Sequence, residues 1–182
     1  MAARELDSVL TYWFDTLKPA DWFRKSATLD ADITQRFASL HLRLANEPLD
    51  AATLSTSEAL AVVIVLDQFS RNIYRDKAQA FAFDAKALCL AQQLVAQGRD
   101  QQLPAQQRMF LYMPYMHSEE LAVHDDAVTL FTALGFANNL KFEHQHRDII
   151  KRFGRYPHRN DILGRTSSKA ELDFLQQPGS SF

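Results

Sequence analysis

Cysteine, glycine and long apolar runs are scarce in this chain, and each scarcity excludes a class of protein. The single cysteine, Cys89, excludes an internal disulfide and any metal site built from several cysteines. Five glycines and six prolines in 182 residues are too few for a fibrous or disordered chain. The longest apolar run, residues 59–66, is far too short to cross a membrane.

A strong net charge and a targeting signal are also missing. The formal charge is −2 at pH 7, which gives no overall attraction to nucleic acid or to an anionic membrane. The first ten residues have neither the basic start nor the apolar block of a signal peptide. We therefore expect a cytoplasmic protein that is not a membrane protein and does not have nucleic acid as its partner.

The common catalytic motifs are absent as well. The chain has no nucleophile elbow, no phosphate-binding P-loop, no dinucleotide fingerprint and no zinc-protease H-E-x-x-H. Glu143 and His146 form one E-x-x-H step of the kind used in di-iron bundles, but the required second step is missing. We predict neither a metal nor a cofactor, and the sequence names no reaction.

Helical spacing of apolar residues is what the chain does have. Leu6, Val9, Trp13 and Leu17 show it first, and no segment reads convincingly as a strand. Further helix starts are predicted at Asp30 or Asp32, at Ser57, at Asn138-Asn139 and at Ser167 or Ser168. The sequence therefore predicts a single all-α domain over residues 1–182, with about seven to nine helices in layered antiparallel hairpins. Residues 176–182 are expected to be a frayed tail.

Two polar blocks rich in arginine interrupt this regular pattern. The second block, Arg147–Arg165, contains six Lys or Arg and two Asp, so it is locally +4 while the rest of the chain is −6. The first block, Asp67–Arg75, repeats its Phe-x-Arg step, its Arg/Asn pair and its nearby Tyr. RNA binding through the second block is disfavoured by the acidic remainder. The two blocks are the best candidates for a functional site.

Three segments in order resemble a known family. They are L-D-Q-F-S-R-N-I-Y-R from Leu66, M-F-L-Y-M-P-Y-M-H-S-E from Met109, and the stretch from His146 through R-F-G-R-Y-P-H-R-N to Arg165. Together they resemble a family of uncharacterised bacterial proteins, domain of unknown function 924. The resemblance implies an all-helical, tetratricopeptide-repeat-like fold and no established activity or cofactor. Ser70, where Pro is common, and His124, where Gln is expected, depart from the family pattern.

The arginines of both blocks predict a site for a small anion. Arginine presents a planar fork of N–H donors that pairs bidentately with carboxylate or phosphate. We predict a pocket for a phosphate- or carboxylate-bearing molecule whose ligand-binding residues are Asp67, Arg71, Asn72, Arg75, Arg155, Arg159 and Asn160. In a catalytic version of this pocket, His158 or Glu119 transfers protons while the arginines hold the charged group.

A purely structural network fits the same residues. In this interpretation the arginines pair with acids and tie helix ends together, and the chain is a helical scaffold that recognises another protein. The acids considered as partners are Asp67, Asp76, Asp148, Asp161, Glu119 and Glu120. An exposed apolar groove would favour the scaffold. The sequence leaves both hypotheses open.

Overall fold

The computed structural model describes residues 3–181, and within that range the chain is helical with no strand. The α-helices are α1 (Ala3–Leu10), α2 (Ala27–Asn46), α3 (Thr56–Ile64), α4 (Ser70–Ile73), α5 (Asp84–Ala96), α6 (Ala105–Met116), α7 (Leu121–Leu134), α8 (Ala137–Phe153) and α9 (Lys169–Leu175). Short 3₁₀ segments occur at Ala51–Thr53, Ala78–Phe81, Arg99–Gln102 and Pro157–Arg159. The predicted all-α fold is confirmed.

The chain divides into two compact units. The first unit runs up to Arg75 and from Gln79 to Pro114, and the second takes Asp76–Ala78 and the chain from Tyr115 onwards. The single domain predicted over residues 1–182 stays a prediction, and its residues 1, 2 and 182 lie outside the described part of the chain. Each block belongs to one unit, the first block to the first unit and the second block to the second.

Helices of the first unit pack mainly against helices two places along the chain. The contacting pairs are α1 with α3, α2 with α4 and α3 with α5. α3 begins with a capping box, in which the Ser55 hydroxyl accepts from the Glu58 N–H and the Glu58 carboxylate accepts from the Ser55 N–H. The run from Ala59 to Leu66 is fully buried and helical, as is typical of a helix that is apolar on all sides.

Two π-helical segments widen the backbone of the first unit. Thr11–Thr16 continues α1, and Val65–Phe69 joins α3 to α4. Trp13 of the first segment is fully buried and packs edge-on against Phe69 of the second, with ring centroids 5.5 Å apart. The apolar spacing from Leu6 to Leu17 predicts a helix through the first segment but not the change of pitch, which is rare and often lies at functional sites.

The second unit is built around the hairpin of α7 and α8, which pack against each other and are joined by Gly135-Phe136. Gly135 and Gly154 end the two helices with φ of 81° and 69°, a left-handed conformation that glycine adopts without strain. The small apolar core of this unit contains Ile149, Ile150 and Tyr156, with Phe153 and Phe174 packed against it.

Four predicted helix starts and the predicted tail can be compared with the structure. The N-cap of α2 is Ser26 rather than Asp30 or Asp32, that of α3 is Ser55 rather than Ser57, and that of α8 is Phe136 rather than Asn138-Asn139. Ser168 caps α9 as predicted. Residues 176–181 form no helix, but Ser180 is buried and its hydroxyl donates to the Leu175 carbonyl over 3.1 Å, which differs from the frayed segment expected there.

Candidate functional site

In the first unit, Arg71 of the first block pairs with Asp84. The Arg71 guanidinium donates through NH1 and NH2 to the two carboxylate oxygens, 3.0 Å each, and NH1 also donates to the Asp67 carbonyl over 2.6 Å. The Asp67 side chain is fully buried and lies 3.4 Å from the same guanidinium. Because α4 carries Arg71 and α5 begins at Asp84, the pair ties the end of one helix to the start of another.

Asp30 accepts hydrogen bonds from the other two predicted ligand-binding residues of the first block. Asn72 donates to Asp30 Oδ1 over 2.8 Å, and Arg75 donates to both oxygens of that carboxylate. Burial alone would raise the pKa of Asp30, but the hydrogen bonds from Arg75 and Asn72 outweigh it and the pKa is lowered. These contacts favour the structural interpretation of the first block.

In the second unit, Tyr156 lies at the centre of the second block. Its side chain is fully buried, its hydroxyl donates to the Met116 carbonyl over 2.6 Å, and its N–H donates to Glu119 Oε1 over 2.8 Å. The guanidinium of Arg159, which is also buried, lies 4.5 Å from the centroid of the Tyr156 ring, and the His158 ring lies 5.5 Å away. The tyrosine thus fixes the turn of the second block against the segment that precedes α7.

Glu119 completes that attachment. Arg165 donates NH1 to Glu119 Oε2 over 2.7 Å and NH2 to Oε1 over 2.9 Å. Burial acts to raise the pKa of Glu119, but the Arg165 and Tyr156 hydrogen bonds and the charges of Arg165 and Arg159 lower it overall. A carboxylate held ionised by four such interactions is a poor proton donor near neutral pH. The geometry therefore favours a structural role for Glu119 over the predicted proton transfer.

Glu171 is the acid that engages Arg155 and Asn160, and the sequence reasoning missed it. Arg155 donates Nε to Oε1 over 2.7 Å and NH2 to Oε2 over 2.9 Å, and Asn160 donates to Oε1 over 3.2 Å. The Ser168 N–H adds a bond of 2.7 Å, because Glu171 is the third residue of α9 and forms a capping box with Ser168. The pKa of Glu171 is held far below its usual range, and the hydrogen bonds from Arg155 are the largest cause. The S-x-x-E pattern could have revealed this residue.

A buried acid–histidine pair joins α7 to α8. His124 Nδ1 and Glu143 Oε1 are 2.7 Å apart with both side chains fully buried, and His124 Nε2 donates to the Ser118 carbonyl over 2.9 Å. Burial raises the pKa of Glu143, while the hydrogen bond from His124 partly offsets the rise. Burial also lowers the pKa of His146, one helical turn along, to about 3. The pairing across the hairpin differs from the same-helix step of Glu143 with His146 that the sequence shows.

An open depression lies beside the second block. It has a volume of about 520 Å³ and is lined by Arg152, Phe153, Arg155, Ser168, Ala170 and Glu171. The Arg152 guanidinium lies 4.7 Å from the Phe153 ring centroid and 5.7 Å from that of Phe174. Arg152 is exposed and, within residues 3–181, forms no ion pair, which distinguishes it from Arg155. It was not among the predicted ligand-binding residues.

The predicted site residues are thus distributed between the two units. Asp67, Arg71, Asn72 and Arg75 lie together in the first unit, and Glu119, Arg155, His158, Arg159 and Asn160 lie together in the second. Of this set only Arg155 lines the depression. Across the described range of the chain, no three His, Cys, Asp or Glu side chains form a group suited to a metal ion.

Comparison with known proteins places the chain in a family. Residues 9–179 match the sequence model of a family described as "Bacterial protein of unknown function (DUF924)". The chain belongs to the DUF924 family. Its fold is similar to the solved structure of the protein of unknown function ATU0120 from Agrobacterium tumefaciens, with 34% sequence identity, a TM-score of 0.90, and coverage of 97% of this chain and 99% of that one. No curated protein matches.

Membership of the DUF924 family confirms the resemblance drawn from the three sequence segments. It brings no activity with it, because neither the family description nor the related structure names a ligand. In residues 3–181 of this DUF924 protein, no helix is both long and apolar enough to cross a membrane. The chemistry of the site must therefore be argued from its own side chains.

Proposed function

We propose that this protein binds a small anionic molecule in the depression of the second unit, in the bacterial cytoplasm. The observation that supports it is Arg152, an exposed arginine that faces the depression and forms no ion pair with the described residues. An arginine without a carboxylate partner keeps its charge and its fork of donors for a ligand. Every other arginine discussed above either forms a bidentate ion pair or is buried beside Tyr156.

The surroundings of Arg152 favour a bound molecule over bulk water. The rings of Phe153 and Phe174 lie beside the guanidinium and stabilise it without using its N–H groups. The NH1 group of Arg155 makes no hydrogen bond to the described residues, so it can add donors to a ligand held by Arg152. A volume of about 520 Å³ suits a small molecule.

The proposal is narrower than the pocket predicted from the sequence. It uses the second unit alone and replaces Arg159 and Asn160, which do not line the depression, with Arg152. The acid–base role predicted for His158 stays a prediction, since that histidine is not among the lining residues. The tetratricopeptide-repeat-like description of the fold likewise stays part of the proposal.

Thermal unfolding against a panel of anions tests the proposal. The panel contains phosphate, sulfate, mono- and dicarboxylates, nucleotides and sugar phosphates. A ligand at about a hundred times its dissociation constant adds about 2.7 kcal/mol of stability, or about 5–10 °C in Tm for a chain of this size. The shift should disappear in Arg152→Ala and persist in Lys151→Ala, which removes the same charge one residue away without lining the depression.

A second candidate function, a helical scaffold for another protein, is favoured by exposed apolar side chains in the second unit. Phe142 is 50% exposed, Leu121 38% and Phe136 37%. A contiguous patch of such side chains marks an interaction surface. If no anion shifts Tm and Arg152→Ala behaves like Lys151→Ala, the anion site is refuted and the scaffold becomes the leading hypothesis.

A further inference from the structure

We infer that the ligand of this depression is a monocarboxylate on an apolar body rather than a phosphate ester or another dianion. The inference rests on the proposed function, because it concerns the same site. It goes further by choosing between the two anion classes that the arginines alone leave open.

The charges that line the depression are the first argument. Arg152 and Arg155 contribute two positive charges and Glu171 one negative charge, so the lining carries +1. The Arg155 charge is matched by Glu171 through two hydrogen bonds of 2.7 and 2.9 Å. A ligand with one negative charge neutralises the remaining positive charge, which is that of Arg152. A phosphate monoester carries close to two negative charges at neutral pH and would place the excess beside the Glu171 carboxylate.

Displacing Glu171 from its hydrogen-bond donors by a competing anion would cost free energy. Its side chain is 4% exposed and accepts hydrogen bonds from Arg155, Asn160 and the Ser168 N–H. Releasing it would break the capping box of α9 and leave those donors without their acceptor. The negative charge in the lining is therefore a permanent feature of the site, and it disfavours polyanions.

The shape of the remaining surface is the second argument. Phe153 and Phe174 pack against each other with ring centroids 5.1 Å apart, and the Arg152 guanidinium lies near both rings. The donors of a guanidinium lie in its plane, at its edge, where a planar carboxylate fits bidentately. Phe153 and Ala170 supply the apolar part of the lining. A carboxylate on a ring or an aliphatic chain matches both features.

Isothermal titration calorimetry of the full-length protein with benzoate and phenyl phosphate tests the inference at pH 8, where the ester is a dianion. We expect benzoate to bind at least about tenfold more tightly than phenyl phosphate. Arg152→Ala should weaken benzoate binding by about tenfold or more, because the uncompensated charge of the lining is gone. Lys151→Ala should change it by less than about twofold, because that side chain lies outside the depression.

The possible results separate this inference from the proposed function. Equal or tighter binding of phenyl phosphate, lost in Arg152→Ala, would overturn the carboxylate class and leave an anion site in place. The same holds if no monocarboxylate binds at millimolar concentration while a phosphate ester, sulfate or a dicarboxylate of the panel binds through Arg152. If no anion binds at all, the proposed function and the inference fail together.

Discussion

Acid should destabilise the first unit through His41, which lies on α2 with its side chain fully buried. His41 Nε2 is 2.7 Å from the Ser70 hydroxyl oxygen, and that hydroxyl donates its own proton to the Leu66 carbonyl over 2.6 Å. The Nε2 atom must therefore carry the ring proton. Nδ1 is buried and has no hydrogen-bond partner among the described residues, and the rings of Tyr74 and Phe83 pack nearby.

The size of the effect follows from the pKa of the buried ring. Burial lowers the pKa of His41 from 6.5 to about 4. Below pH 6.5 the unfolded chain takes up a proton that the folded chain refuses, so stability is lost as the pH falls and the loss levels off near pH 4. At about 1.36 kcal/mol per pKa unit, this one group costs about 2 kcal/mol by pH 5 and about 3 kcal/mol by pH 4.

Urea unfolding at a series of pH values between 7 and 4 measures this cost. Trp13 and Trp22 both lie in the first unit, so their fluorescence reports on the unit that contains His41. His41→Gln keeps a donor for Ser70 but cannot titrate, so its stability should fall with acid by about 3 kcal/mol less than that of the wild type. The exposed His144→Gln is the control and should follow the wild type. Parallel curves for His41→Gln and the wild type would show that the buried ring is not held neutral.

Two other predictions concern the second unit and the domain count. Glu119→Gln should lower the free energy of unfolding by about 1–3 kcal/mol, because it weakens a bidentate bond to Arg165 and one to the Tyr156 N–H; a change in Tm within experimental error would contradict the structural role. If residues 1–182 form one cooperative domain, tryptophan fluorescence and far-UV circular dichroism should give the same urea midpoint, although Trp13 and Trp22 report on the first unit alone. Separate midpoints would mean that the two units unfold independently.

The sequence predicts the helical fold because apolar spacing is a strong local signal. The residue at which a helix starts is harder to predict, because several neighbouring residues can serve as the N-cap and differ little in preference. Ser26, Asp30 and Asp32 can all cap a helix, and the structure uses Ser26. Asp30 instead binds Arg75 in the turn that follows α4, a contact 45 residues away in the chain. Phe136 precedes α8 without a side-chain cap, so no capping residue marks that start. The π-helical segments have no sequence signature that separates them from ordinary helix.

The site was harder to predict because arginine pairing is decided by tertiary contacts. The acids considered as partners in the sequence included Glu119, which does bind an arginine of the second block. They did not include Asp30, Asp84 or Glu171, which bind Arg75, Arg71 and Arg155. Those partners are 13 to 45 residues away along the chain. Charge counts identify a basic block, but the fold decides which charges remain uncompensated.

Arg152 and Arg155 show how little separates a structural arginine from a candidate ligand-binding one. The two residues are three positions apart on either side of Gly154, and both line the same depression. Arg155 meets Glu171, the third residue of a helix that must start with a capping box, so its charge is compensated by the residue that also holds α9 in place. Arg152 meets two phenylalanine rings, which stabilise a cation but cannot neutralise it. Glu171 is thus engaged by Arg155 and by the capping box of α9, while the charge of Arg152 stays uncompensated. This makes Arg152→Ala the most informative single substitution in the second unit.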